Sequence, residues 1–168
     1  MPRKEPQPET AVLLDALRSN LSLLGELAVR YEVSLKPPRP DAPSPAMGSS
    51  ADVHALVGAE MAALAQEQLR VLLLDARNRV VGVRVIYQGT ANSSEARPAE
   101  VLRPAVVEAA PKVIVVHNHP SGDPDPSPED VRVTRDLAQA AKLLCIELLD
   151  HVVVGGGGFV SLKDRELF

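Results

Sequence analysis

Lys112-Val113-Ile114-Val115-Val116 is a short, unbroken and largely β-branched run, and it constrains the fold more than any other stretch. That composition reads as a buried strand, ending at about His117. Other segments repeat their apolar residues at helical intervals. Leu69 to Asp75 and Val80 to Tyr87 read as further strands, with Ala76-Arg77-Asn78-Arg79 as their hairpin connection. Arg97 to Ala110 reads as a helix facing Leu102, Val106 and Ala109 inward. Cys145 to Val154 and Phe159 to Leu162 complete the strands, with Gly155 to Gly158 as a hairpin tip. The expected class is α/β, a mixed β-sheet flanked by helices, with a short helical appendage at the N-terminus.

The chemistry is concentrated just past the buried strand, in His117-Asn-His-Pro-Ser-Gly-Asp-Pro-Asp-Pro-Ser-Pro-Glu-Asp130. Strand side chains alternate faces, so His117 and His119 project the same way and Asn118 does not. Pro120 biases His119 toward an extended conformation. Ser121 to Pro126 is dense in turn formers and suits a chain reversal. Ser127 is a favourable N-cap, Pro128 a favoured first helical residue, and Asp130 falls in the first turn. Val131, Thr134, Leu137, Ala138, Ala141 and Leu144 continue the helical spacing. A loop of this kind can return Asp130 toward the strand end. Two histidines and one carboxylate then form a three-ligand set suited to Zn²⁺, with the fourth tetrahedral position left for water. Such an ion lowers the pKa of its water to roughly 7.

A purely structural reading competes with each half of this motif. Ser127-Pro-Glu-Asp130 also matches the capping box that merely starts a helix. A histidine pair at a strand end can be a hydrogen-bonded surface feature. The strand-loop-helix setting of both halves together favours metal.

His117-x-His119-Pro120 followed by Ser127-x-x-Asp130 resembles the signature of the JAMM (MPN+) metalloprotease superfamily. HNHPSG, PSPED and Leu148-Leu-Asp-His-Val-Val-Val-Gly155 resemble its bacterial RadC branch, over about Ser50 to the C-terminus. The resemblance implies a core like that of JAMM proteins and cytidine deaminases, with His117, His119 and Asp130 as zinc ligands and Ser127 stabilising an oxyanion. It also implies an upstream glutamate as general base. Glu67, directly before the first strand, is favoured for that role, and Glu100 stands second. The RadC branch has an arginine before the latter position, where this chain has Ala99. Asp150-His151 resembles a recurrent feature of the branch, with a supporting role at the metal or a structural hydrogen bond as alternatives.

The chain divides into an N-terminal helical segment 1–36, a proline-rich linker 37–49 and the main domain 50–168. In the first, Leu13, Leu14, Leu17, Leu21, Leu24 and Leu27 form a helical stripe. Relatives of the RadC branch carry a DNA-associated helix-hairpin-helix there, but this segment lacks a hairpin glycine pattern. Packing or homodimer formation through that helix is the expectation. Ser49-Ser-Ala-Asp52 is a second capping-box match, opening a helix defined by Val53, Leu56, Val57, Met61 and Leu64. His54 on that helix reads as solvated or weakly packed.

Composition bounds the function. A net charge of −4 with 2% aromatic residues gives nucleic acid neither an electrostatic footprint nor stacking platforms. Arg77, Arg79 and Arg84 read as charges guarding a turn and strand. No stretch is apolar enough to span a membrane, and no signal segment opens the chain, so a cytoplasmic location is expected. The single cysteine, Cys145, reads as a buried small hydrophobe. A zinc deaminase requires a P-C-x-x-C pair that is missing. The function expected is zinc-dependent hydrolysis of peptide or isopeptide bonds in a peptide or protein substrate. The alternatives are a DNA-repair-associated metal-dependent nuclease, or a non-catalytic module that binds nucleic acid or protein.

Overall fold

Hydrophobic strands ordered β2-β1-β3-β4-β5 form one mixed sheet. The structure is a computed structural model that describes residues 44–89 and 97–168; the helical segment expected at 1–36 lies outside them. The strands are β1 (Gln68–Leu74), β2 (Val80–Gln88), β3 (Lys112–Asn118), β4 (Glu147–Gly155) and β5 (Gly158–Ser161). Only β3 and β4 run parallel. A parallel pair needs a crossover, which here is helix α3 (Pro128–Leu143).

Helices cover both faces, as the sequence leads one to expect. Val71, Leu73, Val113 and Val115 face α3 and α2 (Pro98–Val107), meeting Val101, Leu102, Val133 and Leu137. The alternate residues Leu72, Leu74, Ile114 and Val116 face α1, meeting Val53, Val57 and Met61. Helix α1 runs as Ser50–Val53, a π-helical His54–Gly58, then Ala59–Ala62. Its capping box, Ser49 with Asp52, is present. His54 stacks on Phe159 of β5 with ring centroids 4.6 Å apart. Before α1, Ala46 bridges to Arg79 and Met47 is buried in the same core. The expected basic cluster is largely paired off, Arg79 with Asp75 and Arg84 with Glu108.

Two expectations fail for one reason, the way helices end in this fold. Cys145 is exposed, not buried. It occupies a left-handed position (φ 57°) just after α3, with Cys145 N–H bonded to Lys142 O and Ile146 N–H to Ala141 O. That is a Schellman ending, which turns the following residue inward; Ile146, not Cys145, is buried. Helix α2 ends in the same way. Ala109 takes φ 52° and Ala110 N–H bonds Ala105 O. Ala109 is therefore exposed and Ala110 turned inward; Val106, within the helix itself, is exposed too, and Ala105 takes the place in the core expected of Val106.

The sheet also seats the loop that follows β3. His119 N–H bonds Val154 O at 2.8 Å. At Gly155 the loop comes so close that a Cβ would lie 2.4 Å from Gly122 O and 2.8 Å from Pro124 N, both backbone atoms. Gly155 is thus required by close approach at the end of β4, and the hairpin tip proper is Gly156-Gly157. Gly155→Ala should push the loop off the sheet, costing about 1–3 kcal/mol, the usual range for overpacking. Denaturant unfolding checks this; unchanged stability would show that the loop is not seated as described.

Candidate metal centre

His117 is the next-to-last residue of β3 and shares its face with Val113 and Val115, on the α3 side of the sheet. Its ring is buried, 1% exposed. His119 follows in the loop, half-buried, and Asp130 sits in the first turn of α3, buried at 2% exposure. The loop brings all three together. His117 Nε2 and His119 Nε2 are 2.9 Å apart, His117 Nε2 is 3.4 Å from Asp130 Oδ1, and His119 Nε2 is 3.6 Å from Asp130 Oδ2.

That spacing fits an ion. Tetrahedral zinc with bonds of about 2.0–2.1 Å sets its ligand atoms roughly 3.3 Å apart, and the observed separations straddle that value. Among the described residues, His117, His119 and Asp130 form the group able to hold a metal ion. The donor chemistry agrees. His119 Nδ1 lies 2.8 Å from the Asp123 carbonyl, which can only accept, so Nδ1 carries the hydrogen. A neutral His119 therefore turns a bare Nε2 toward the Asp130 carboxylate.

The local electrostatics follow from burial and proximity. Burial holds the His117 imidazolium down to a pKa of about 4, against the pull of Asp130. His119 goes the other way, raised chiefly by its bond to Asp130. Burial alone would raise the Asp130 carboxyl; bonds from His119 and Ser127 and the His117 charge outweigh it and hold Asp130 well below the usual carboxylate range.

Both sequence readings of Ser127-x-x-Asp130 are present at once. Ser127 N–H and Oγ–H donate to Asp130 Oδ2 at 2.7 and 2.6 Å, and Ser127 Oγ accepts from Asp130 N–H at 3.1 Å. The capping box is complete, and the same carboxylate faces the histidines. One consequence concerns Ser127, expected to bond an oxyanion. Its only hydroxyl hydrogen is engaged by Asp130 Oδ2, a bond made in addition to the two of the capping box.

The two candidate glutamates part company. Glu67 lies at the β1 entrance, close enough for its carboxyl to feel His119 and Asp130; burial, the largest influence, raises it. Glu100 is exposed on the first turn of α2 and pairs with Arg97. Asn118, which the alternation of strand faces directs away from the histidines, has a job the sequence did not disclose. Its Oδ1 accepts from Gln68 N–H at 2.9 Å and its Nδ2 donates to Gln66 O at 3.2 Å, gripping the backbone on both sides of Glu67.

Asp150 and His151 face opposite sides of β4 and do different work. Asp150 accepts from Ser161 Oγ, His151 N–H and Lys163 N–H, a structural knot. His151 Nε2 lies 2.8 Å from His117 Nδ1, and its Nδ1 lies 2.6 Å from Thr134 Oγ1 of α3. Thr134 was legible only as a core position of the helix. Tyr87, whose buried hydroxyl has no hydrogen-bond partner among the described residues, is also near; burial first, then Glu67 and Asp130, raise its pKa.

Comparison with known proteins places this geometry. The sequence profile of the RadC-like JAB domain matches residues 47–167. A UPF0758 protein of Roseiflexus castenholzii is 49% identical over 119 residues, 71% of this chain and 51% of that protein. One from Chloroflexus aurantiacus is likewise 49% identical over 119 residues, 52% of its length. One from Shouchella clausii is 45% identical over 124 residues, 74% of this chain and 54% of that protein. The chain thus spans about half the length of the curated relatives it matches. No helix among the described residues is long and apolar enough to cross a membrane.

Metal uptake should be linked to His119 alone. Below its raised pKa His119 is an imidazolium, so binding must expel about one proton and weaken as pH falls through that value. His117, titrating at about 4, is already neutral there. Calorimetric zinc titration in buffers of different ionisation enthalpy measures the count; release of about two protons near pH 6 would contradict the assignment.

Proposed function

This chain belongs to the RadC-like JAB domain family, and on that premise we propose that it is a zinc-dependent hydrolase of peptide or isopeptide bonds. The observation that carries the reading is the convergence of two imidazole nitrogens and one buried carboxylate at ligand spacing, with a second, partly buried carboxyl beside them. Zinc held by His117, His119 and Asp130 would supply Lewis acidity, lowering the pKa of a water to roughly 7 and polarising a carbonyl.

The remaining work falls to the protein's own groups. Glu67 would take the proton from the attacking water and return it to the leaving amine. Its raised pKa brings it nearer the operating pH, where one group serves well as base and then acid. Asn118 fixes the backbone that carries Glu67, so the carboxyl is aimed before substrate arrives. Ser127 serves the resting centre by orienting Asp130. Its support of an oxyanion, which the family resemblance implies, requires the hydroxyl to turn from Asp130 when a substrate carbonyl competes. A peptide or protein chain as substrate fits the acidic net charge better than DNA does.

The experiment is a screen of peptide and isopeptide substrates with zinc-loaded protein, beside Glu67→Gln, Glu100→Gln and His119→Ala. Glu67→Gln should keep its zinc and lose about 10²–10⁴-fold in kcat. Glu100→Gln should behave as wild type. His119→Ala should lose both zinc and turnover. Cleavage of DNA, but of no peptide bond, that vanishes in His119→Ala would overturn the peptidase reading in favour of a nuclease.

A further inference from the structure

The geometry points to Thr134 and His151 as a positioning relay that selects the ring tautomer of His117, keeping its Nε2 bare toward the metal centre. This deepens the metal reading and rests on it.

The assignment proceeds from an atom that has no choice. The backbone carbonyl of Asp130 can only accept, and Thr134 Oγ1 lies 2.5 Å from it, so the threonine hydrogen goes there. With that hydrogen spent, Thr134 Oγ1 can only accept along its 2.6 Å contact with His151, so His151 carries its hydrogen on Nδ1. His151 is 2% exposed, and among the described residues its ring nitrogens bond a hydroxyl and an imidazole, neither of which carries a negative charge to hold an imidazolium; the ring stays neutral. Its Nε2 is therefore a lone pair. Across 2.8 Å that lone pair receives the hydrogen of His117 Nδ1. His117, neutral and 1% exposed, is left with Nε2 bare, 3.4 Å from Asp130 Oδ1. Each hydrogen position forces the next.

The relay closes on the residue it serves. It starts at the Asp130 carbonyl and ends at a nitrogen facing the Asp130 carboxylate, so α3, β4 and β3 are locked around one centre. Without it, a neutral His117 is free to carry its hydrogen on Nε2, where a metal must go. His119 needs no such device, since a backbone carbonyl of its own loop sets its tautomer directly. A ligand oriented through other side chains is the usual arrangement at histidine metal sites, and disrupting such support commonly lowers metal affinity 10–100-fold.

The test reads ring nitrogens directly. Long-range ¹⁵N–¹H correlation spectra of the full chain, stripped of metal at neutral pH, should show both His117 and His151 protonated on Nδ1. Thr134→Val, which keeps the shape and removes the hydroxyl, should let His117 populate the Nε2–H form and weaken zinc binding about 10–100-fold. Thr134→Ser should restore both readouts to wild type, separating the relay from packing. Should Thr134→Val fail to fold, His151→Gln, which loses the ring but can still offer a carbonyl oxygen to His117, gives the same comparison against His151→Leu. A wild-type His117 protonated on Nε2, or a folded Thr134→Val with unchanged tautomer and zinc affinity, would overturn the relay alone. Wild-type protein with the expected tautomers but no zinc uptake would overturn the metal reading beneath it.

Discussion

A carboxylate taken almost wholly out of water must be met by donors or by positive charge, and Asp130 is met by both. Much else in the molecule can be understood as providing for that group. Helix α3 begins where it does because Ser127 and Asp130 cap each other. The loop from His119 to Pro126 returns the chain so that this cap meets the end of β3. The loop holds its course because His119 is tied to Val154 and Gly155 leaves room for Gly122 and Pro124. Parallel pairing of β3 with β4 then places His151 beside His117. In open α/β sheets, sites gather outside the carboxyl ends of strands, and this centre lies at the carboxyl end of β3.

The elements of the fold and the convergence of His117, His119 and Asp130 could be read from residue order because both depend on local rules. Strand alternation, proline's restriction of the residue before it, and the capping box each act over a few positions. The helix endings were not legible. Cys145 and Ala109 occupy left-handed positions where glycine is the usual signal, and without it the helical register runs on too far. Asn118 escaped for another reason. Its partners, Gln66 and Gln68, are about fifty residues away in sequence and are brought to it by the antiparallel β1–β3 register. Thr134 looked like one more core position of α3, and only the folded sheet gives it His151 to bond.

The residues of this centre, from Glu67 to His151, all fall inside the 47–167 stretch matched by the family profile. The UPF0758 relatives are about twice as long as the region shared. The donor set and its supports are thus contained in the shared half.

The double use of one carboxylate bears on how such sequences should be sorted. A chain that bound no metal would still profit from Ser127 and Asp130, because together they start α3; that pair is a poor witness to activity. His119 is a better one. Among the described residues its ring nitrogens meet the Asp123 carbonyl of its own loop and the other members of the centre, so starting α3 gives no reason to keep it.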